Sequence, residues 1–264
     1  MRYIISTLGC KVNQYETQAM RRQLELAGYE TVEFVPEQTF ADVLVINSCT
    51  VTGESDRKLR QFLRRCRRDL PNSVIVLCGC MSQAYPETAY ALPEADVVLG
   101  NAVRGDLLPK LEEYFAQKQR IYCVPEHTTA YEPLEIDTFQ GRTRAFVKIQ
   151  DGCNRFCSYC IIPYVRGRLR SRNPLEILEE ARLLAKNGYQ EIVLAGIHVC
   201  KYGADFSDSG CDTPIQDLTD LLMELEKIDG ICRIRLSSIE PLAFHEKFFR
   251  YYALSKKLCP SFHI

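Results

Sequence analysis

The hydrophobic residues in the first half of the chain fall into short apolar runs separated by amphipathic stretches. Runs such as DVLVIN and NSVIVLCG are continuous, which is typical of strands buried on both faces of a parallel sheet. The predicted strands are RYIIST, DVLVIN, NSVIVLCG and ADVVLG, and the predicted helices are YETQAMRRQLELAGY, a segment with apolar residues at Leu59, Phe62, Leu63, Cys66 and Leu70, and GDLLPKLEEYFAQ. This alternation predicts an α/β domain, an open, doubly wound parallel sheet with helices on its faces.

The pattern lapses over residues 118–141, where Pro125, Pro133 and scattered polar residues indicate a connecting segment. A second alternation follows, with strands RAFVKIQ, EIVLAG and CRIRLSS and helices NPLEILEEARLLAKNGY, PIQDLTDLLMELEKIDG and AFHEKFFRYYALSKK. The final SFHI resembles the start of another strand. We therefore predict two domains, residues 1–117 and 142–264, joined by a linker over 118–141.

The chain has 264 residues, a net charge of −1 and 13 cysteines. Its N-terminus lacks the apolar core of a signal peptide, and no run of about 18 apolar residues could span a membrane. We therefore expect a cytoplasmic chain that does not use a membrane and whose thiols stay reduced. So many cysteines there suggest metal or cluster ligation, or catalysis, rather than disulfides.

Three cysteines each follow a predicted strand of the first domain: Cys10, Cys49 and Cys80. If the strands are parallel, their carboxyl ends lie at one edge of the sheet, where ligands bind. Three thiolates there could hold an iron–sulfur cluster. Position alone makes the alternative, that each is a small buried hydrophobe, about equally plausible. A closed zinc site fits poorly with three ligands and no nearby histidine. For Cys66 and Cys78 we favour the buried role.

A second set, Cys153, Cys157 and Cys160, has the spacing C-x3-C-x2-C directly after a strand. This is the strongest chemical signal in the chain. A [4Fe–4S] cluster normally takes four cysteines, so three leave one iron open for a small-molecule ligand. A zinc knuckle is an alternative, but no further Cys or His follows before His198.

This spacing, with Tyr159 before the last cysteine, is similar to the signature of radical S-adenosylmethionine (SAM) enzymes. STLGCKVNQYET, INSCTVT and CGCMSQ resemble the cysteine motifs of the methylthiotransferase N-terminal domain. DGCNRFCSYCIIPYVRGRLRSR, LAGIHVCKYG and RLSSIEP resemble the radical SAM core of the same family. GCKVNQYET is most similar to the branch that modifies N6-threonylcarbamoyladenosine at position 37 of tRNA.

The resemblance implies two [4Fe–4S] clusters, an auxiliary one on Cys10, Cys49 and Cys80 and a radical one on the second set. In that family the open iron of the radical cluster holds SAM, and an electron from the cluster cleaves SAM to a 5′-deoxyadenosyl radical. A second SAM methylates sulfur at the auxiliary cluster, and C2 of the adenine receives the methylthio group. Both clusters then need an open iron, which agrees with three cysteines each.

By the same resemblance, three further residues would lie near SAM at the ends of strands: Gly196, Ser238 and Glu240. The implied partners are the anticodon loop of tRNA and an electron donor such as flavodoxin or ferredoxin. Two alternatives keep the chemistry and change the substrate to isopentenyladenosine or to a ribosomal protein side chain. A third, of another class, is a non-catalytic iron–sulfur or zinc-binding module.

Two stretches are basic. Residues 57–68 hold seven Lys or Arg and no acid, and we favour a solvated helix face there. Residues 142–172 hold eight against one acid, beside the C-x3-C-x2-C motif, and we expect contacts with RNA phosphate, the SAM carboxylate or the threonylcarbamoyl carboxylate. Arg166 and Arg168 are the predicted substrate-binding residues.

The four histidines show no ligand spacing, and neither His198 nor Cys200 is assigned as a ligand.

A radical SAM core resembles a partial barrel of about six βα units, of which about four fit after residue 142. The expected fold is therefore an incomplete (βα) barrel, without the small C-terminal RNA-binding β-barrel of the family. We expect such a chain to be poorly stable and weakly active, because an open sheet edge and apolar faces stay uncovered.

Overall fold

The computed structural model describes residues 1–35, 40–50, 53–126, 130–139, 143–211 and 213–264. Three parts of the sequence-based predictions lie outside the described residues: residues 51–52 of INSCTVT, His127 with its neighbours in the predicted linker, and residues 140–142 at the predicted domain boundary. Two compact units form. The first contains Met1–Thr128, Glu132–Leu134 and Phe156–Gly167, and the second contains Thr129–Tyr131, Glu135–Arg155 and Arg168–Ile264.

Strands and helices alternate along the first unit. Its elements are β1 (Arg2–Thr7), α1 (Lys11–Leu26), β2 (Glu30–Thr31), β3 (Val43–Ser48), α2 (Gly53–Asp69), β4 (Val74–Gly79), α3 (Cys80–Ala84), α4 (Pro86–Tyr90), β5 (Val97–Leu99), a 3-10 turn (Arg104–Asp106), α5 (Leu107–Gln117), β6 (Ile121–Cys123) and α6 (Ile162–Arg166). The sheet is parallel, in the order β2-β1-β3-β4-β5-β6. The order reverses between β1 and β3, as in doubly wound folds.

The strands of this sheet are covered on both faces. Ile46 and Leu77 pack with Leu59 and Leu63 of α2 on one face. Val45 and Val76 pack with Met20 of α1 on the other face, where Leu107 and Leu111 of α5 also lie. All residues of β3 and β4 are buried, which explains why their apolar runs are continuous rather than alternating. The predicted doubly wound sheet is confirmed.

Part of the predicted linker over 118–141 forms a strand. Ile121–Cys123 forms β6, the edge strand of the first sheet, paired in parallel with β5. A strand of three residues is too short for a periodic pattern to reveal, and the lapse in pattern hid it.

The second unit contains a three-stranded parallel sheet in the order β11-β10-β7. Its elements are β7 (Ala145–Lys148), β8 (Gln150–Asp151), β9 (Arg170–Ser171), α7 (Pro174–Lys186), β10 (Glu191–Ala195), a 3-10 turn (Val199–Lys201), α8 (Phe206–Ser209), α9 (Leu218–Glu226), β11 (Arg233–Leu236), a 3-10 turn (Pro241–Ala243) and α10 (Glu246–Leu254). The strands follow one another in sequence order, as in βα barrels.

The C-terminal residues extend this sheet. Leu258 pairs in parallel with Ile234, and His263 with Ser238, through isolated bridges. Of the residues in SFHI, where the sequence predicts the start of a further strand, His263 makes one such bridge. Among the described residues the sheet does not close, which agrees with the predicted partial barrel. The helices in the described ranges are too short or too polar to cross a membrane.

Candidate iron–sulfur and SAM sites

Cys10, Cys49 and Cys80 follow three neighbouring strands of the first sheet. Cys49 comes directly after β3 and Cys80 directly after β4, whereas Cys10 is the residue before α1. The register places Thr7 opposite Asn47 and Ser48 opposite Gly79, so the three strands end at the same level. The structure thus brings the three predicted ligands to one edge of one sheet.

Two buried asparagines tie these strand ends together. The Asn13 side chain donates to Asn47 Oδ1 at 3.3 Å and to the Ser48 carbonyl at 3.2 Å. Its own Oδ1 accepts from the backbone N–H and the thiol of Cys10, both at 3.3 Å. Asn47 in turn donates to the Asn13 carbonyl at 2.9 Å. Helix α1 begins at Lys11, earlier than predicted, because this network holds its first turn against β3.

Gly79 is the residue that lets Cys80 approach Cys49. Its φ of +97° lies in the region that side chains other than glycine rarely adopt. A Cβ there would lie 2.4 Å from the Ser48 carbonyl oxygen and 2.6 Å from Asn47 Oδ1. The close contact of β4 with the end of β3 therefore requires a residue without a side chain.

Cys80 is the buried member of the first cysteine set. Burial raises the pKa of the Cys80 thiol, the nearby charge of Arg166 opposes this rise, and Glu16, Cys49 and Cys10 add to it. Cys10 is exposed, Cys49 is partly exposed and Cys80 is buried. A set of three soft sulfur ligands, open on the Cys10 side, fits an iron–sulfur cluster with one iron left free.

Cys66 and Cys78 have the buried role that the sequence predicted. Both are fully buried in the two hydrophobic layers of the first unit. Burial raises the pKa of Cys66 to about 11 and that of Cys78 to about 12, so neither is a thiolate at neutral pH.

The second cysteine set lies on the loop after β8. Cys157 and Cys160 belong to the first unit and Cys153 to the second. Within the first unit, the Cys160 N–H donates to the Cys157 carbonyl at 2.9 Å, in a tight turn. Phe156 has a φ of +46°, which is uncommon for a residue with a side chain.

Gln150 organises the surroundings of Cys153 in the second unit. Its buried amide donates to the carbonyls of Asp151 and Gly152 at 2.7 and 2.6 Å. Its Oε1 accepts from the N–H groups of Ile197 and His198 at 2.9 and 2.7 Å. One side chain thereby joins the loop that carries Cys153 to the loop that follows β10.

His198 and Glu240 are brought beside Cys153 by this arrangement. His198 Nδ1 lies 3.8 Å from Cys153 Sγ, and His198 Nε2 lies 3.2 Å from a Glu240 oxygen, although not in hydrogen-bond geometry. Arg155 pairs with the same carboxylate at 2.7 Å. Burial lowers the pKa of His198, against the opposing charge of Glu240, which keeps the ring neutral at neutral pH.

Cys200 completes a group that sequence spacing did not reveal. One ligand-type atom each of His198, Cys200 and Glu240 lies within 4.8 Å of the others. No spacing signal could have found the group, because its members come from two different loops. Since Glu240 already pairs with Arg155, and His198 contacts the Cys153 sulfur, the group is part of the surroundings of that cysteine.

The three residues predicted to lie near SAM follow strands, as expected. Gly196 follows β10, and Ser238 and Glu240 follow β11. Packing also favours a glycine at position 196, since a Cβ there would lie 3.0 Å from Gln150 Oε1. Ser238 Oγ lies 3.1 Å from His263 Nδ1. A role of these residues toward SAM stays a prediction.

The predicted substrate-binding arginines have contrasting environments. Arg168 is exposed, whereas Arg166 is 1% exposed and its guanidinium contacts the buried carboxylate of Glu16 at 2.9 Å. Arg166 is therefore buried, and Glu16 compensates its charge inside the first unit. The substrate role of both residues stays a prediction.

Many other basic side chains in the two stretches have acidic partners. On α2 the pairs are Arg57–Glu54, Arg64–Glu94, Arg65–Asp69, Arg67–Asp96 and Arg68–Asp69. In the second stretch they include Arg144–Glu191, Lys148–Asp151, Arg155–Glu240 and Arg172–Glu180. The α2 pairs agree with the predicted solvated helix face.

Two parts of the chain match families of known proteins. Residues 2–100 match the family described as "Uncharacterized protein family UPF0004", and residues 147–258 match the Radical SAM superfamily. The fold resembles that of the radical SAM methyltransferase TsrM from Kitasatospora setae, with a TM-score of 0.60 and 15% identity over 98% of this chain and 58% of that one. Residues 147–258 thus match the radical SAM superfamily in sequence, and the chain resembles a member of that superfamily in fold.

Individual relatives give a more specific comparison than the two family matches. The chain is 44% identical to the threonylcarbamoyladenosine tRNA methylthiotransferase MtaB of Bacillus subtilis, over 98% of this chain and 56% of the relative. It is 38% identical to that of Aquifex aeolicus, over 100% and 62%. A tRNA-2-methylthio-N(6)-dimethylallyladenosine synthase of Desulforamulus reducens is 31% identical, over 99% and 57%. The chain is thus similar to tRNA methylthiotransferases over nearly its whole length, and it spans 56–62% of the length of these relatives.

Proposed function

We propose that this chain carries the catalytic part of a tRNA methylthiotransferase, which adds a methylthio group to C2 of N6-threonylcarbamoyladenosine at position 37. The observation that carries the proposal is the convergence of Cys10, Cys49 and Cys80 on one sheet edge, in a chain that also has C-x3-C-x2-C. Two sets of three cysteines are what a reaction with two open-iron clusters needs.

The proposal assigns one [4Fe–4S] cluster to each set of cysteines. When bound, the two clusters with SAM supply the methyl group, the sulfur and the radical chemistry, which ordinary side chains cannot supply. The protein holds and shields these groups. Asn13 and Asn47 fix the sheet edge that carries the first set, and Gln150 fixes the loop that carries Cys153.

The choice of nucleoside rests on the relatives. Those named for threonylcarbamoyladenosine reach 44% identity, and those named as dimethylallyladenosine synthases reach 33%. The proposal therefore makes tRNA the partner, with an electron donor such as flavodoxin or ferredoxin, and places the reaction in the cytoplasm, where tRNA is found. Arg168, exposed close to the C-x3-C-x2-C loop in sequence, is proposed to contact the anionic substrate.

Mass spectrometry of tRNA nucleosides from a strain that lacks this gene tests the proposal. We expect the 2-methylthio group to be missing from N6-threonylcarbamoyladenosine and retained on isopentenyladenosine. The converse loss would move the protein to the other branch, and retention on both nucleosides would exclude tRNA as the substrate.

The competing class, a non-catalytic metal-binding module, is separated by metal content. Anaerobically reconstituted chain should hold about eight iron atoms with matching sulfide, the content of two clusters. One or two zinc ions, with little iron, would instead support the binding module.

A further inference from the structure

A buried row of four charged side chains runs through the first unit. The Glu16 carboxylate contacts the guanidinium of Arg166 at 2.9 Å and that of Arg104 at 2.5 Å. Arg104 also contacts Glu132 at 2.6 Å. The exposed fractions of the four side chains are at most 7%. Charges buried this deeply are tolerated only when they are paired, so each of the four side chains depends on its neighbours in the row.

Arg166 is the end of this row that lies nearest the predicted cluster ligands. Helix α6, which ends at Arg166, packs against α3, which begins at Cys80. Glu16, the partner of Arg166, lies one turn after Asn13 on α1, and Asn13 Oδ1 accepts from the Cys10 thiol at 3.3 Å. Arg166 and Cys80 are 1% and 2% exposed, so both side chains are shielded from water. The Arg166–Glu16 end of the row is therefore held by the helix that packs against the Cys80 helix and by the helix whose first turn contacts Cys10.

Hydrogen bonds hold Arg166 in this position. Asn101 donates from Nδ2 to the Val165 carbonyl at 3.0 Å, and its Oδ1 accepts from Arg104 at 3.2 Å. A second contact between Arg166 and Glu16, at 3.3 Å, makes the pair two-pronged. A bidentate arginine–carboxylate pair fixes both direction and distance.

A cluster on three thiolates needs such a neighbour. An oxidised [4Fe–4S] core carries a charge of about 2+, so three thiolate ligands leave the assembly with a net negative charge, which grows on reduction. A negative group next to buried protein is destabilised unless a positive charge lies close by. The reduction potential of a cluster depends on this local charge.

We propose that Arg166, held in place by Glu16, is the positioning residue that compensates the charge of a cluster on Cys10, Cys49 and Cys80 and sets its reduction potential. The inference rests on the proposed function, because it needs that cluster. It gives Arg166 a role different from the substrate contact that the sequence analysis predicted.

The test uses the full chain with Cys153, Cys157 and Cys160 changed to alanine, so that only the first set can bind a cluster. Anaerobic reconstitution, iron analysis and a redox titration followed by electron paramagnetic resonance give the occupancy and the midpoint potential. In this background Arg166→Gln should shift the potential to more negative values, because a positive charge is lost. Glu16→Gln should shift it to more positive values, because the compensating carboxylate is lost.

Two further variants separate charge from structure. Arg166→Lys keeps the positive charge and should stay nearer the parent potential than Arg166→Gln. Arg67→Gln breaks the Arg67–Asp96 pair in the same unit without touching the row, and should leave the potential unchanged. Shifts of opposite sign for Arg166→Gln and Glu16→Gln are not expected if the row is merely structural.

The outcomes distinguish this inference from the proposed function. If the parent with three alanines binds no cluster, the assignment of Cys10, Cys49 and Cys80 fails, and the inference fails with it. If the cluster forms and the potential of Arg166→Gln equals that of the parent, or moves in the same direction as that of Glu16→Gln, only the inference is overturned.

Discussion

Gly79 shows how a single residue decides whether the cysteines of the first unit can meet. It is the last residue of β4, its φ is positive, and the space where a side chain would lie is filled by the backbone of Ser48. The sequence motif CGC marks this glycine, but the reason for it is visible only in the contact with β3.

Replacing Gly79 with alanine should destabilise the first unit and impair its cluster. A Cβ at 2.4 Å from a carbonyl oxygen, on a left-handed backbone, should lower the free energy of unfolding by about 1–3 kcal/mol or more. Urea unfolding measures this loss, and iron analysis after reconstitution should show reduced occupancy of the first cysteine set.

The matched control is Gly105→Ala, because no atom lies within 4 Å of its Cβ position. Its free energy of unfolding should change by less than about 0.5 kcal/mol. If Gly79→Ala is as stable as this control and binds as much iron, the tight contact between β3 and β4 is not needed.

The partners of the Arg166 and His198 side chains could not be predicted from the sequence. The sequence identified Arg166 as one of several arginines near a cysteine motif, whereas its partner Glu16 lies 150 residues away along the chain. His198 has no ligand spacing, and it reaches Cys153 through the hydrogen bonds of Gln150. Such pairs depend on how distant elements pack, which no local pattern encodes.

At the scale of elements, Glu191 links the three strands of the second sheet. It begins β10 and lies opposite Arg233 of β11. Its carboxylate contacts Arg235 at 3.0 Å, Arg144 at 3.5 Å and Arg233 at 3.6 Å. Burial alone would raise the pKa of Glu191, but the hydrogen bonds and charges of Arg235 and Arg144 outweigh it and hold the pKa below the ordinary 4.5.

The second unit should therefore lose stability in acid through Glu191. A carboxyl group whose pKa is lower in the folded state stabilises the fold above its unfolded pKa. That contribution is lost as the pH falls from about 4.5 through the lower folded value. In Glu191→Gln the free energy of unfolding should be lower at pH 7 and should fall less steeply below about pH 4.5.

Urea unfolding between about pH 3 and pH 7 measures this difference. Glu179→Gln, an exposed position on α7, is the matched control and should follow the wild-type curve. Parallel acid profiles for wild type and Glu191→Gln would contradict the assigned role.

The elements that sequence predicted well are those with long, strong patterns. β3 and β4 read as continuous apolar runs because both faces of the sheet are covered. α7 is capped by Asn173, has Pro174 in its first turn and is followed by Gly188, which are usual signals of where a helix begins and ends. In contrast, β6, α3 and α6 are three to five residues long, and their patterns are too short to recognise.

At the scale of the whole molecule, the chain combines two ligand sets that sequence presents as separate motifs. The first set lies entirely in the first unit, at the carboxyl ends of β1, β3 and β4. The second follows β8, after the first strand of the second sheet. Each set has three cysteines, so the proposed function requires that each set can bind its own cluster independently of the other set.

Serine substitution of one complete set should remove about half of the iron. Cys10, Cys49 and Cys80 changed together to serine should leave about four iron atoms per chain, and the same result is expected for Cys153, Cys157 and Cys160. Iron and sulfide analysis after anaerobic reconstitution measures the content. Substitution of the buried Cys66 and Cys78 is the comparison and should leave the iron content of folded protein unchanged.

The sequence by itself predicted the order of the longer strands and helices, the two cysteine sets and the family resemblance, because period, burial and motif spacing are local properties of the chain. Only the tertiary structure decided that Asn13 and Asn47 tie Cys10 to the end of β3, and that Gln150 holds His198 near Cys153. It also decided that Arg166 lies inside, paired with Glu16. These contacts join residues far apart in sequence, and a buried charge is set by what packs around it rather than by its neighbours along the chain.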